Sequence, residues 1–415
     1  MKPLDLAPIV MQRIDALARI SEEPDRLTRT FCSPAMQQAN DLVASWMTAA
    51  GMKVQVDTIG NLIGNYPAQA TGKKMFVLGS HLDTVRDAGK FDGPLGVLVA
   101  IACIERLRQS NTRLPFDLQV VGFSDEEGVR FHSAYLGSKV LAGTFSSEEL
   151  KRTDAQGITM AEAIRNFGGN PDALTSACLD PDRLLGYAEV HIEQGPVLEE
   201  KNMSAGVVTG IAGQSRVSVT FTGRAGHAGT TPMNLRRDAL CAAADFVLAA
   251  EAVGHGRSNL VVTVGSLMVS PGASNVIPGE VRLSLDVRHA EDGVCQAVLD
   301  ELRGSAETIA SERNIRLNWH LVQESAAVLC DPRLSSLLTQ ALKSHQSESI
   351  QLHSGAGHDA AAMAAITPVA MLFVRCKSGI SHHPDESAAV EDVRIAINVM
   401  DEFIRALANS YGSVA

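Results

Sequence analysis

Apolar runs and helical patterns alternate through the first half of the chain. MFVLGS at 75–80 is followed by an amphipathic stretch from Gly96 to Gln109, then by LQVVGFS at 118–124. Short apolar runs bounded by turn residues read as buried strands, and apolar residues at three- and four-residue spacing read as helix. This β-α-β rhythm predicts a mostly parallel sheet with helices on both faces, and YAEVHIE at 187–193 adds a further strand. From about Gly213 to Ser325 the pattern changes to strand RVSVTFTG, a helix over about 233–252, strands LVVTVGSLMV and VRLSLDVRH, a helix over about 291–313, and strand RLNWHLVQ. That β-α-β-β-α-β order is ferredoxin-like. The earlier style then returns with a helix near 331–346, the strand PVAMLFVR and an amphipathic helix from about Val390 to Ala408. The expected class is α/β in two domains: a mostly parallel-sheet domain built from 1–212 and 326–415, and an inserted α+β domain over 213–325.

Length agrees with that division, since 415 residues exceed one ordinary core. A net charge of -11 argues against a nucleic-acid partner, which needs a basic surface. It leaves room for an anionic small substrate, because a few arginines in a cleft attract an anion against the global charge. No apolar run is long enough for a membrane span, and MKPLDLAPIVMQRIDALARI carries acids and arginines where a signal peptide would be apolar. A cytoplasmic protein without membrane contact is expected. The seven cysteines are scattered with no C-x-x-C spacing, which fits a reducing compartment and buried thiols rather than a disulfide framework.

Several strands run straight into chemistry. In GSHLDTV an apolar strand ends in His81 and Asp83, the place where open α/β sheets put their sites. Residues two apart on an extended segment share a face, so Asp83 is placed to accept a hydrogen bond from a metal-bound His81; a turn histidine followed by a helix cap is the plainer alternative. Asp92 in KFDGPLG could bridge two cations or merely cap the following helix. VVGFS ends in Asp125, Glu126 and Glu127, three adjacent acids that repel one another unless cations or solvent compensate them. Adjacent residues diverge, so one glutamate can ligate while the other faces a reacting water as general base; a solvated acidic turn is the competing reading. His191 in EVHIEQG and His382 in GISHHPDE complete the set, and spacing does not separate His382 from His383. Two or three carboxylates with three imidazoles suit zinc, manganese or cobalt better than calcium.

GSHLDTV, KFDGPLGV, SDEEGVRF, EVHIEQGPVLE, GHAGTTPMNLRRDA, ASNVIPGEV and GISHHPDE together resemble the amidase and hydantoinase branch of the aminoacylase/carboxypeptidase-G metallopeptidase superfamily, from about residue 35 to 400. The resemblance implies two divalent metal ions per subunit: His81 and His191 on one, Glu127 and His382 on the other, with Asp92 bridging. It further implies Glu126 as general base, Asp83 orienting His81, and an inserted domain that acts as a lid and forms a homodimer. In the family a histidine at the place of His227 reaches the partner's active site, and Arg288, Asn275, Gln214 and Arg216 fall at substrate-binding positions. A bidentate arginine matches a carboxylate, which makes Arg288 the first candidate for an anionic ureido substrate. GIAGQSR, SGAGHDA and MLFVRCKSGISHHPDE look most similar to allantoate amidohydrolases; N-carbamoyl-L-amino-acid hydrolases more often have an asparagine where Asp125 stands, and ureidoglycolate amidohydrolases share similar motifs. The competing class is a homologue that binds a ureido compound without turnover, against which stands the presence of every ligand and the base.

Overall fold

The computed structural model describes residues 4–69 and 74–412. The chain divides into two compact units, 1–209 with 329–415, and 210–328.

The first unit is built on a nine-stranded sheet in the order Lys53–Val56, Leu62–Tyr66, Asp117–Phe123, Met75–His81, Leu184–Ile192, Val369–Val374, Ala205–Ile211, Val328–Leu329, with Gln351–Ser354 also paired to Ala205–Ile211. The four central strands, from Asp117–Phe123 to Val369–Val374, are mutually parallel, whereas Lys53–Val56 with Leu62–Tyr66, Leu62–Tyr66 with Asp117–Phe123, and Val369–Val374 with Ala205–Ile211 pair antiparallel. Every residue of Met75–His81 and Val369–Val374 is buried, as expected of parallel strands covered on both faces. The helices Ala7–Leu17, Pro94–Gln109, Pro332–Lys343 and Val390–Gly412 pack against one another over this sheet. A separate core gathers Phe31, Phe131, Leu136 and Ile164.

The second unit carries an antiparallel sheet in the order Arg316–Ser325, Gly213–Thr222, Glu280–His289, Val261–Ser270. Alternate residues of Glu280–His289 are buried, which leaves one face for Ala239–His255 and Asp292–Glu312 to cover around Val219, Phe221, Phe246 and Leu302. The helix expected from 233 begins instead at Ala239. Asp238 accepts the N–H groups of Leu240 and Cys241 and so fixes the start there, while Met233–Leu235 forms only a short 3-10 turn. The expectation of uniformly buried thiols also needs correction: Cys178 and Cys241 are exposed and Cys32 is partly so. Among the described residues no helix is long and apolar enough to cross a membrane.

Candidate metal centre

The four parallel strands deliver their side chains to one end of the sheet. His81 closes Met75–His81, Glu126 and Glu127 follow Asp117–Phe123, His191 lies at the end of Leu184–Ile192, and His382 follows Val369–Val374. Asp92 enters from the loop before Pro94–Gln109. That helix is capped by Gly93, with no side-chain hydrogen bond, so the Asp92 carboxylate is not the cap. Gly93 has φ +83°, and a Cβ there would lie 2.5 Å from the His81 ring; glycine is required for the loop to pass.

Asp92 is the hub. Its Oδ1 lies 3.0 Å from His191 Nε2 and 3.4 Å from His81 Nε2, and its Oδ2 lies 3.2 Å from His382 Nε2. His382 Nε2 is also 3.6 Å from Glu127 Oε1. His383 is turned away towards Asp385 at 3.6 Å, so the structure brings His382, not its neighbour, to the cluster. The Nδ1 atoms of His81 and His191 face the main-chain carbonyls of Asp83 at 3.1 Å and Ile192 at 2.9 Å. In the neutral ring that a metal would bind, donation there leaves the Nε2 lone pair pointing inward. Two such lone pairs 3.5 Å apart, facing a carboxylate, converge on a point that a cation would satisfy. The donors His81, Asp92 and His191 form one group, and Asp92, Glu127 and His382 form another that shares the aspartate. This mixed nitrogen and oxygen set fits two borderline divalent ions.

Electrostatics follow from that crowding. Burial alone raises the Asp92 carboxyl, but His191, His382 and His81 outweigh it and hold the group well below its ordinary range. Burial opposes charge on His81, and Asp83 and Asp92 reverse this and push it well up. His382 is raised to about 9, chiefly by its hydrogen bond to Asp92. Glu126, 8% exposed, is driven well above its usual value by burial, with Glu127, Asp359 and Asp83 adding to the shift and His81 opposing it. Burial and Asp92 bring Glu127 to about 7.

Asp83 has two tasks. Its Oδ1 is 3.5 Å from His81 Nδ1, and its two oxygens accept the main-chain N–H groups of Glu126 at 3.0 Å and Glu127 at 3.1 Å. Three further side chains absent from the sequence expectation surround the hub. Gln194 Nε2 donates to Asp92 Oδ2 at 2.9 Å, Ser381 Oγ lies 2.8 Å from the same oxygen, and Glu386 accepts the N–H of Asp92. Deeper in, Glu189 accepts from Ser80, Tyr187 and the N–H of Ala360. His358, in the SGAGHDA segment, stacks edge-on against His191 with ring centroids 4.5 Å apart; burial and His191 hold it well below its ordinary value.

The residues expected to bind substrate lie in the second unit. Gln214 and Arg216 are on Gly213–Thr222 and Arg288 is on Glu280–His289. All three converge on Asp286, with Gln214 Nε2 at 2.7 Å, Arg216 Nε at 3.1 Å and Arg288 Nε at 2.8 Å. Asp286 is a carboxylate the sequence reading did not anticipate, and its place two residues before Arg288 on one strand face was the available signal. His227 belongs to a separate two-stranded ribbon with Val276–Ile277; it is exposed, and its Nδ1 accepts the N–H of Gly229 at 3.0 Å. The carbonyl of Asn275 accepts the N–H of Ala228 in the same ribbon.

A family model for peptidase family M20/M25/M40 matches residues 77–406. An N-carbamoyl-L-amino acid amidohydrolase of Geobacillus stearothermophilus is 41% identical over 94% of this chain and 95% of its own. An allantoate deiminase of Arabidopsis thaliana is 39% identical over 94% of this chain and 81% of its own. Among solved structures, an amidase of the hydantoinase/carbamoylase family from Burkholderia multivorans superposes with a TM-score of 0.91 at 32% identity, covering 97% of this chain and 98% of that one. Fold and site therefore define a metal-dependent amidohydrolase with a dinuclear centre. The chain belongs to peptidase family M20/M25/M40, in its hydantoinase/carbamoylase branch.

Proposed function

We propose that the protein hydrolyses a carbon–nitrogen bond of a small anionic ureido compound, with allantoate as substrate and ureidoglycine, ammonia and carbon dioxide as products. The observation that carries the metal chemistry is Asp92, with one oxygen towards His81 and His191 and the other towards His382. A ureido carbonyl is a weak electrophile because both nitrogens donate into it, so hydrolysis needs a sharpened nucleophile and a polarised oxygen. Two divalent cations, manganese or zinc with cobalt also suited to these donors, would be held by His81, Asp92, His191, Glu127 and His382 and would supply both. Glu126 takes the proton of the attacking water and returns it to the leaving nitrogen. Asp83 fixes the stretch of chain that carries Glu126.

Arg288 and Asn275, with Gln214 and Arg216, bind the substrate carboxylate in this reading. A homodimer forms through the second unit, and His227 acts on the partner's substrate. The sequence motifs and the Arabidopsis relative support allantoate; the Geobacillus relative favours a second reading, an N-carbamoyl-L-amino acid substrate. The deciding experiment is ammonia release by manganese-loaded protein across allantoate, ureidoglycolate and several carbamoyl amino acids. Preference for allantoate is the expected outcome, preference for a carbamoyl amino acid supports the second reading, and no turnover of any ureido compound overturns both.

A further inference from the structure

Glu386 lies outside every role assigned above, yet it is 2% exposed and sits against the bridging aspartate. Its Oε1 accepts the N–H of Phe91 at 2.7 Å and the N–H of Asp92 at 3.0 Å. Its Oε2 lies 3.0 Å from Ser381 Oγ, which is itself 2.8 Å from Asp92 Oδ2. One hydroxyl has one proton and cannot donate to both carboxylates at once. Gln194 resolves the count, because its amide nitrogen has two protons and lies 2.9 Å from Asp92 Oδ2 and 3.2 Å from Ser381 Oγ. The chain Gln194 to Ser381 to Glu386 then runs with every proton placed, and Asp92 keeps a donor from Gln194.

Glu386 itself is anchored in the turn after His382, where its N–H bonds the carbonyl of His383 at 3.0 Å. It thereby ties the segment carrying one proposed ligand to the loop carrying another. The loop is shaped to admit it: a Cβ on Gly89 would lie 2.3 Å from both Cβ and Cδ of Glu386.

We infer that Glu386 is a positioning residue for the dinuclear centre, holding the 89–92 loop so that both oxygens of Asp92 stay turned to the imidazoles. The inference rests on the metal reading above and concerns how firmly the ions are held. Partners behind a ligand orient it, and losing one typically weakens metal affinity by about 10- to 100-fold. Glutamine has the same shape and an oxygen for the two N–H groups, and its NH2 can donate to Ser381, so Glu386→Gln should preserve the geometry.

The test strips zinc from the full-length, zinc-loaded protein with a chromogenic chelator and follows the release rate, with the melting temperature of the metal-free protein measured alongside. Glu386→Ala should release zinc at least about tenfold faster than wild type, Glu386→Gln should stay close to wild type, and the metal-free melting temperature should move little. Ser381→Ala removes one link and should accelerate release less than Glu386→Ala. Gly89→Ala pushes an intact carboxylate aside and should reproduce the fast release, so these two variants carry the test if Glu386→Ala does not fold. Wild-type release rates in Glu386→Ala, or in both Ser381→Ala and Gly89→Ala, overturn the role. So does a Glu386→Gln protein as leaky as Glu386→Ala, or fast release matched by a general loss of metal-free stability. Wild-type protein that retains no zinc overturns the metal reading instead, which keeps the two failures distinct.

Discussion

Asp83→Asn separates the two tasks of that carboxylate. The substitution keeps the size, removes the charge and turns one oxygen into an NH2 donor. At present the oxygens accept the N–H groups of Glu126 and Glu127 at 3.0 and 3.1 Å in a buried setting. An asparagine retains one of these contacts and presents a donor to the other N–H. A hydrogen bond to a charged group contributes about 1.5–3 kcal/mol, and a buried N–H left unpaired adds a penalty of its own. A loss of about 2–3 kcal/mol from the segment that carries the proposed base, at about 1.4 kcal/mol per decade, corresponds to a fall in kcat of about 30- to 150-fold if the loss falls on the transition state. His81 keeps its 3.1 Å contact to the Asp83 main-chain carbonyl, so both metals should remain. Steady-state ammonia release and elemental analysis on the same preparation measure the two quantities. Lost metal with normal turnover per remaining centre would refute the argument and make orientation of His81 the dominant task.

Glu126→Gln should keep both metals and lose at least about a hundredfold in kcat, because the amide cannot take the water proton; near-normal turnover would move the base to Glu127. His382→Ala should bring metal content from two ions towards one per chain while His383→Ala leaves it intact, and elemental analysis showing the reverse would reject the distances that favour His382. Mixed His227→Ala and Glu126→Gln chains should recover activity above either parent once subunit exchange is verified, since one site of the heterodimer then has an intact base and an intact partner histidine. No recovery despite exchange would reject the cross-subunit role and leave His227 as a local or structural residue.

The parts of the centre legible in the sequence are those where a strand announces its own end. His81, Glu126 and Glu127, His191 and His382 each follow or close an apolar run, so their common location follows from the parallel sheet alone. Asp92 was ambiguous because a carboxylate before a helix is more often a cap, and only the Gly93 cap and the measured distances decide otherwise. Glu386, Ser381 and Gln194 carried no such signal. Their partner Asp92 lies 294, 289 and 102 positions away, and nothing local marks a hydrogen bond that tertiary packing creates. The misplaced start of Ala239–His255 has a different cause, for the apolar pattern extends back through Met233 and Leu235, and the capping hydrogen bonds of Asp238 override it.

The two halves of the centre should not hold their ions equally. His81 and His191 are buried on strands, whereas the His382 side chain is 50% exposed on a loop and has φ +56°. Water and chelators therefore reach the Glu127–His382 side first. Protons compete at both halves: His81, His191 and His382 are all raised, His382 to about 9, and Glu127 is raised to about 7. A ligating imidazole must be neutral and a ligating carboxyl ionised, so ions displace protons and affinity climbs with pH until these groups have titrated. The sign reverses for the metal-free fold. Groups that bind protons more tightly when folded stabilise it at low pH; the His382 contribution is fully present below 6.5 and fades as pH rises through about 9. Chelator titration with elemental analysis should show one ion leaving before the other, both leaving more readily at pH 6 than at pH 9, and His382→Ala should abolish the early step. Simultaneous loss of both ions from the wild type, or a metal-free protein that becomes more stable between pH 6.5 and 9, would contradict the asymmetry and the proton competition respectively.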